Sequence, residues 1–183
     1  YLSVYHSRFS RDFRLSSSIH RARERYAISR SKAISATTAA LVPEFNIAFE
    51  ISGWNSAAQT AYHEQWPTPE FDWEEIFRRH NDPDRLDIAI WVEDRLAGLA
   101  LGITTGNALN LMFLEGDSRD DCPLKGLRTV IFLDIATNYA QDRGKSELRV
   151  WPLNGALADL YRDAYGFSLV TAGPNTPYWK KGV

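Results

Sequence analysis

The chain has 183 residues, of which 44% are apolar and 24% charged. These fractions are close to the globular average and exclude wholesale disorder. A single cysteine, Cys122, excludes an internal disulfide and a cysteine-based zinc cluster. No apolar run approaches the ~20 residues of a membrane-spanning helix, so no membrane contact and no metal are expected. The first thirty residues are polar and basic without an apolar central stretch, so no signal peptide is expected and the expected location is cytoplasmic.

The net charge of −2 conceals a split. Residues 1–32 hold Arg8, Arg11, Arg14, Arg21, Arg23, Arg25, Arg30 and Lys32 against Asp12 and Glu24, about +6. The remaining 151 residues carry about −8. A basic arm on an acidic body has two readings. One is contact with an anion such as RNA, DNA or a phosphorylated ligand. The other, and the favoured one, is docking on its own acidic domain or on a partner subunit.

In chain order, residues 16–41 read as a helix capped by Ser16, Ser17 or Ser18. Its apolar stripe is Ile19, Ala22, Tyr26, Ala33, Ala36 and Ala40, and Pro43 is its expected stop. Phe45–Ile51 alternates apolar and polar residues as a strand does. Residues 55–65 and 72–80 read as two short helices around Pro67-Thr-Pro69, the second capped by Asp72. A hairpin, Leu86–Val92 and Leu96–Thr104, follows a turn at residues 81–84. Ala108–Leu114 is a further strand, Asp117–Pro123 a polar loop, and Leu127–Arg143 a helix stopped by Gly144. Strand Leu148–Trp151, a helix within residues 152–165 and strands 167–170 and 178–181 complete the chain. This order predicts an α/β fold: a mixed, mostly antiparallel sheet of about seven strands with helices on both faces. The expected division is a basic helical N-terminal extension, residues 1–43, and a domain of residues 44–183.

The stretch from Glu147 to Phe167 runs strand, Asn154, helix carrying Leu160-Tyr161, then Gly166-Phe167 and another strand. In this it resembles the C-terminal half of the GCN5-related N-acetyltransferases. The upstream hairpin, strand, polar loop and long helix match that family in order and length, so the resemblance covers roughly residues 45–183. It implies an acetyl-CoA-dependent (or other acyl-CoA-dependent) N-acyltransferase that moves an acetyl group to a primary amine of a small molecule or a protein. A second reading is a catalytically silent relative, a binding or regulatory module using the basic arm on nucleic acid or protein. A homodimer is a further partner class, and nucleic acid through residues 1–32 is the less favoured one.

Acyl transfer from a thioester to an amine needs a cofactor grip, a base for the amine proton and a donor for the departing thiolate. The resemblance places the grip at the start of the long helix, where free N–H groups and the helix dipole suit an anion. The residues there are Lys125, Gly126, Leu127, Arg128 and Thr129. The sequence departs from the family's Arg/Gln-x-x-Gly-x-Gly/Ala pattern: counted back from Gly144, its slots hold Leu124, Leu127 and Thr129, and Gly126 is one position out of phase. Tyr161 matches the family's thiolate-protonating tyrosine; the alternative is a packed aromatic. Asn154 matches a cofactor-contacting asparagine and equally suits a helix N-cap. Glu115 stands where many members carry the base; the alternative is a strand-end carboxylate in solvent. Asp117, Asp120 and Asp121 are alternative bases. His63 and His80 read as surface or core residues, and a nucleophilic role for Cys122 is the least favoured. The aromatic segment Trp54, Trp66, Phe71, Trp73 and Phe77 lines the family's acceptor side or else packs a core.

Overall fold

Strand residues buried without interruption identify a sheet covered on both faces: Leu86 to Ile90 are all buried, as are Leu96 to Leu101. The computed structural model of the chain describes residues 3–171 and 176–183, with side chains from residue 18 onward. The side chains of Arg8, Arg11, Asp12, Arg14, Ser16 and Ser17 lie outside the described residues. The helices are α1 (Ser3–Phe45), α2 (Ser56–Gln65), α3 (Trp73–Arg79), α4 (Arg128–Asp142) and α5 (Gly155–Asp163). The strands are β1 (Glu50–Ser52), β2 (Arg85–Val92), β3 (Arg95–Thr105), β4 (Ala108–Gly116), β5 (Glu147–Val150), β6 (Ser168–Val170) and β7 (Tyr178–Gly182). They form one sheet in the order β1-β2-β3-β4-β5-β7-β6. All pairings are antiparallel except β4–β5. The expected seven-stranded mixed sheet is therefore the observed one.

Alternation sorts the strands onto two cores. Leu86, Ile88 and Ile90 of β2 and Leu109 and Leu111 of β4 pack with Ile131, Phe132 and Ile135 of α4. Ala89 of β2 and Leu99 and Leu101 of β3 pack with Ala58, Ala61 and Tyr62 of α2 and Trp73 and Phe77 of α3. Asn55 caps α2 by accepting from the Ala58 N–H, and Asp72 caps α3 by accepting from the Glu75 N–H.

The long first helix departs most from its sequence reading. It extends from Ser3 to Phe45, so the Ser16–Ser18 start and the Pro43 stop are both corrected. Pro43 sits in the last turn, where its missing N–H removes a single bond. Val42 before it and Phe45 after it both pack on the core. Asn46, in the left-handed region at φ 51°, ends the helix instead. The alternating segment 45–51 yields only the short β1: Phe45 belongs to α1, Asn46 turns the chain, and the pairing with β2 begins only at Glu50. The stripe is also corrected. Ser29, Ala33, Thr37 and Leu41 are the buried positions, whereas Ala36 and Ala40 are exposed. Polar Ser29 and Thr37 belong to the row because partners await them: Arg143 reaches the Ser29 hydroxyl and Asn138 donates to Thr37 Oγ1 at 3.1 Å.

The C-terminal half of α1 is thus held to α4 and the sheet. Arg143 also lies over the Tyr26 ring at 4.3 Å, and Lys32 pairs with Asp142 at 3.0 Å. Arg30 donates to Asp87, whose carboxylate also accepts from the Trp54 N–H at 2.7 Å and faces Arg85 at 3.8 Å. Asp87 is almost fully buried, so Arg30 neutralises a charge that water cannot reach. We expect Arg30→Ala to cost about 2–3 kcal/mol in urea unfolding, less than the usual loss for a broken buried pair because Asp87 keeps two of its partners. An unchanged urea midpoint would show that the pair does not hold α1.

Candidate active site

The β4–β5 pairing is short. It runs from Ala108 opposite Glu147 to Leu111 opposite Val150 and then stops. β5 ends there, and Pro152, which has no N–H to donate, follows Trp151. β4 continues to Gly116 on its β3 side. At the point of divergence β4 also bulges: Leu101 pairs with Phe113 and Gly102 with Leu111, leaving Met112 as the extra residue. Among the described residues, the edge of β4 from Met112 to Gly116 has no strand partner on its β5 side.

The gap between the two strands holds a cavity of about 90 Å³. Met112 and Leu114 of β4 form one wall and Trp151, Pro152 and Leu153 the other. Thr129 and Phe132 of α4 close one end, Leu157 and Tyr161 of α5 another, and Phe71 reaches in from the loop before α3. Of the candidate catalytic and cofactor-binding residues named in the sequence, Thr129 and Tyr161 meet here. Larger hollows on the outer surfaces of α2 and α3 lie away from these two.

Tyr161 is buried against Phe167 and Tyr165, at ring separations of 5.4 and 6.2 Å. The left-handed Gly166 turns the chain so that the Phe167 N–H closes on the Tyr161 carbonyl, which fixes this packing. Burial, and then the neighbouring Tyr165, push the Tyr161 hydroxyl up to about 12, so it stays protonated at neutral pH. That hydroxyl has no hydrogen-bond partner among the described residues. Asn154 is the N-cap of α5, its Oδ1 accepting from the Leu157 N–H at 2.9 Å; its amide NH₂ remains available.

At the other end of the cavity α4 begins at Arg128 after Leu127, with no side-chain cap. The backbone N–H groups of Gly126, Arg128, Thr129 and Val130 make no backbone bond among the described residues, as the first turn of a helix dictates. Gly126 stands at φ +83°, a conformation that favours glycine, and it turns the loop into the helix. Leu124 and Cys122 are buried and anchor that loop to the core, which leaves the Cys122 thiol no access to substrate. Lys125 is exposed and pairs with Asp120. Arg128 turns back from the helix start. Its guanidinium donates to the Ala97 and Asp117 carbonyls and fills the space a side chain at Gly116 would need. The anion-binding capacity of this end therefore rests on backbone N–H groups more than on arginine charge.

Glu115 does not face open solvent. Its carboxylate accepts from the Glu70 N–H at 2.6 Å, the Phe71 N–H at 3.3 Å and the Trp73 indole at 2.7 Å. It thereby ties the end of β4 to the segment carrying Phe71, the residue that reaches the cavity. Trp66, Trp73 and Phe77 are core residues, as one of the two readings of the aromatic segment has it. His63 pairs with Glu74 at 3.0 Å, and His80 is half-buried beside the Phe113 ring at 6.0 Å.

Asp117 is nearly fully buried and serves as the hub of the loop. It accepts from Arg95 at 2.6 Å, from the Arg119 side chain at 2.7 Å and from the Arg119 N–H at 3.1 Å. Arg95 also pairs with Asp121 at 2.7 Å. Sequence reasoning named Phe71 but missed Met112, Trp151 and this arginine hub as parts of the site. Pro152 directly after a strand was the one signal of the divergence; a bulge leaves no mark in a single sequence.

Solved structures share this fold. The ribosomal-protein-S18-alanine N-acetyltransferase from Escherichia coli superposes with a TM-score of 0.55 at 19% identity, covering 73% of this chain and 91% of that one. The protein has the fold of the GCN5-related N-acetyltransferases. The Campylobacter jejuni N-acetyltransferase PseH in complex with acetyl coenzyme A matches with a TM-score of 0.52 at 13% identity, covering 74% of this chain and 99% of that one. The Paia N-acetyltransferase from Thermoplasma acidophilum in complex with coenzyme A gives 0.50 at 13%, covering 75% and 100%. No family model and no curated protein matches the sequence. Relative to these N-acetyltransferase structures, about a quarter of the chain is extra.

The Asp117 hub has a measurable consequence. Burial pushes its carboxyl up, but the Arg119 and Arg95 bonds more than offset this and hold it at about 2, against an ordinary 3.8. A depressed folded-state pKa gives stability that is present above about pH 4 and lost as pH falls through 2. That loss is about 2 kcal/mol. The urea midpoint of the wild type is therefore expected to drop between pH 4 and 2 by more than that of Asp117→Asn; equal drops would show that the hub does not couple to folding.

Proposed function

We propose that the protein is an acyl-CoA-dependent N-acyltransferase that moves an acetyl group from acetyl-CoA to the primary amine of a small molecule or protein. The observation that carries this reading is the divergence of β4 and β5, which opens a cavity holding an unpartnered, protonated Tyr161 hydroxyl beside an uncapped helix start. Acetyl-CoA supplies an acyl group already activated as a thioester. Its extended pantetheine arm carries amides, and the unpaired edge of Met112–Gly116 offers the N–H and C=O groups to bind them as an added strand would be bound. Its pyrophosphate matches the free N–H groups of Gly126, Arg128, Thr129 and Val130, with Lys125 at the rim and Asn154 on the opposite wall.

The chemistry requires a neutral amine to attack the thioester carbonyl, the C–S bond to break, one proton to leave the nitrogen and one to reach the sulfur. Tyr161 is the donor to sulfur: its raised pKa keeps the proton in place until thiolate character develops. Glu115 is the proposed acceptor of the amine proton. Three N–H donors hold its carboxylate, and a carboxylate has about four lone-pair positions, so one remains for a water that relays the proton. Phe71, Phe132 and Trp151 keep bulk water from the thioester.

Two measurements test the reading. Acetyl-CoA should raise the thermal midpoint, with about 2.7 kcal/mol of added stability at a hundredfold excess over Kd. No shift at millimolar acetyl-CoA assigns the chain to the silent binding modules instead. Tyr161→Phe should lower kcat roughly 10²-fold or more while leaving acetyl-CoA affinity nearly intact; unchanged turnover makes Tyr161 a packing residue.

A further inference from the structure

Two groups of exposed charges stand out for having no ion partner among the described residues. Beyond the end of α4, the projecting part of α1 presents Arg21, Arg23 and Arg25, all exposed and none in an ion pair among the described residues. On this helix Ile19, Ala22 and Tyr26 form one row, with Arg21 and Arg25 on one flank and Arg23 on the other. Ile19 is 44% exposed. The row continues the one that packs on α4: Tyr26 still lies against Arg143 and the core, but the body no longer lies beneath Ile19.

The second set surrounds a groove of about 590 Å³ between the open edge of β1 and α2. Its floor includes Ile51, Ala61 and Trp91, and its rim carries Glu50, Glu64, Glu93 and Asp94. These four carboxylates are exposed and make no ion pair among the described residues, and no Lys or Arg lines the groove. Elsewhere most acids are paired: Asp87, Asp117, Asp121, Asp142 and Glu147 all have basic partners.

An apolar row flanked by arginines and an apolar floor rimmed by carboxylates are complementary in both respects. They cannot meet within one chain. At 1.5 Å per residue, Arg23 lies roughly 33 Å along α1 from Phe45. Phe45 is the end of α1 that leads into Glu50 and the groove. We propose that the projecting part of α1 docks as an amphipathic helix in the acid-rimmed groove of a second copy of this chain. Because arm and groove lie toward opposite ends of α1, two antiparallel copies satisfy both contacts at once and close a two-fold dimer. Nucleic acid would engage the arginines but leave the Ile19 row and the four carboxylates unmatched.

Size-exclusion chromatography with light scattering on the full chain tests this. The wild type is expected at twice the chain mass at low salt and to fall toward the chain mass as salt screens the contact. Reversing the arm (Arg21→Glu, Arg23→Glu, Arg25→Glu) or the rim (Glu50→Lys, Glu64→Lys, Glu93→Lys, Asp94→Lys) should each yield a monomer. All seven are exposed positions, and circular dichroism checks that each variant folds. Mixing the two reversed proteins should restore the doubled mass, because every arm then meets a groove of opposite sign. A monomeric wild type at low salt, a dimer indifferent to either reversal, or no recovery on mixing overturns the proposal. A shift of tRNA or duplex DNA by a monomeric wild type, abolished by arm reversal, also overturns it and gives the arm to nucleic acid.

Discussion

Two parallel strands that part after four paired residues decide the character of this molecule. Once Val150 has paired with Leu111, β5 ends before Pro152, while the Met112 bulge carries β4 away from it. An unpaired backbone edge inside a protein is costly unless water or a ligand satisfies it. Here the opening is tolerated because α4 and α5 flank it and their side chains leave a narrow cavity rather than a collapsed core. The free N–H groups of the α4 start and the free hydroxyl of Tyr161 face the same region. Each would be a defect in a purely structural domain; together they are the groups that the proposed extended, anionic, amide-bearing ligand would satisfy.

The loop joining β4 to α4 is held in place by side-chain contacts. Leu124 and Cys122 are buried beneath it, Asp117 gathers Arg95 and Arg119, and Arg128 braces the ends of β3 and β4. Only Gly126 is required by its backbone conformation. A loop pinned by buried side chains and a carboxylate hub keeps the helix start exposed with only one glycine before it. The departure from the family's glycine pattern thus changes what holds the loop, while the backbone donors at its end remain.

Helix α1 packs against α4 and reaches the sheet. Its second half is held by a buried ion pair at Asp87, a cation–ring contact at Tyr26 and hydrogen bonds at Ser29 and Thr37. Those bonds explain why the row it buries contains polar residues and leaves two alanines in solvent. A reading that follows apolar residues alone selects Ala36 and Ala40; the side chains of Asn138 and Arg143, a hundred residues away, select Ser29 and Thr37 instead.

By itself the sequence determined the order and type of nearly all elements. Period-2 alternation, 3.6-residue stripes, caps such as Asp72 and Asn154 and stops such as Gly144 and Gly166 are local signals, carried by residues a few positions apart. It also marked Tyr161 and Thr129, through spacing shared with an acyltransferase family. The tertiary structure alone decided how far α1 runs past Pro43, where β4 bulges, that Arg128 faces away from the helix start and that Glu115 is bound by the Phe71 segment. Each of these depends on partners distant in sequence, whose packing and hydrogen bonds outweigh local preference by amounts that no local pattern records.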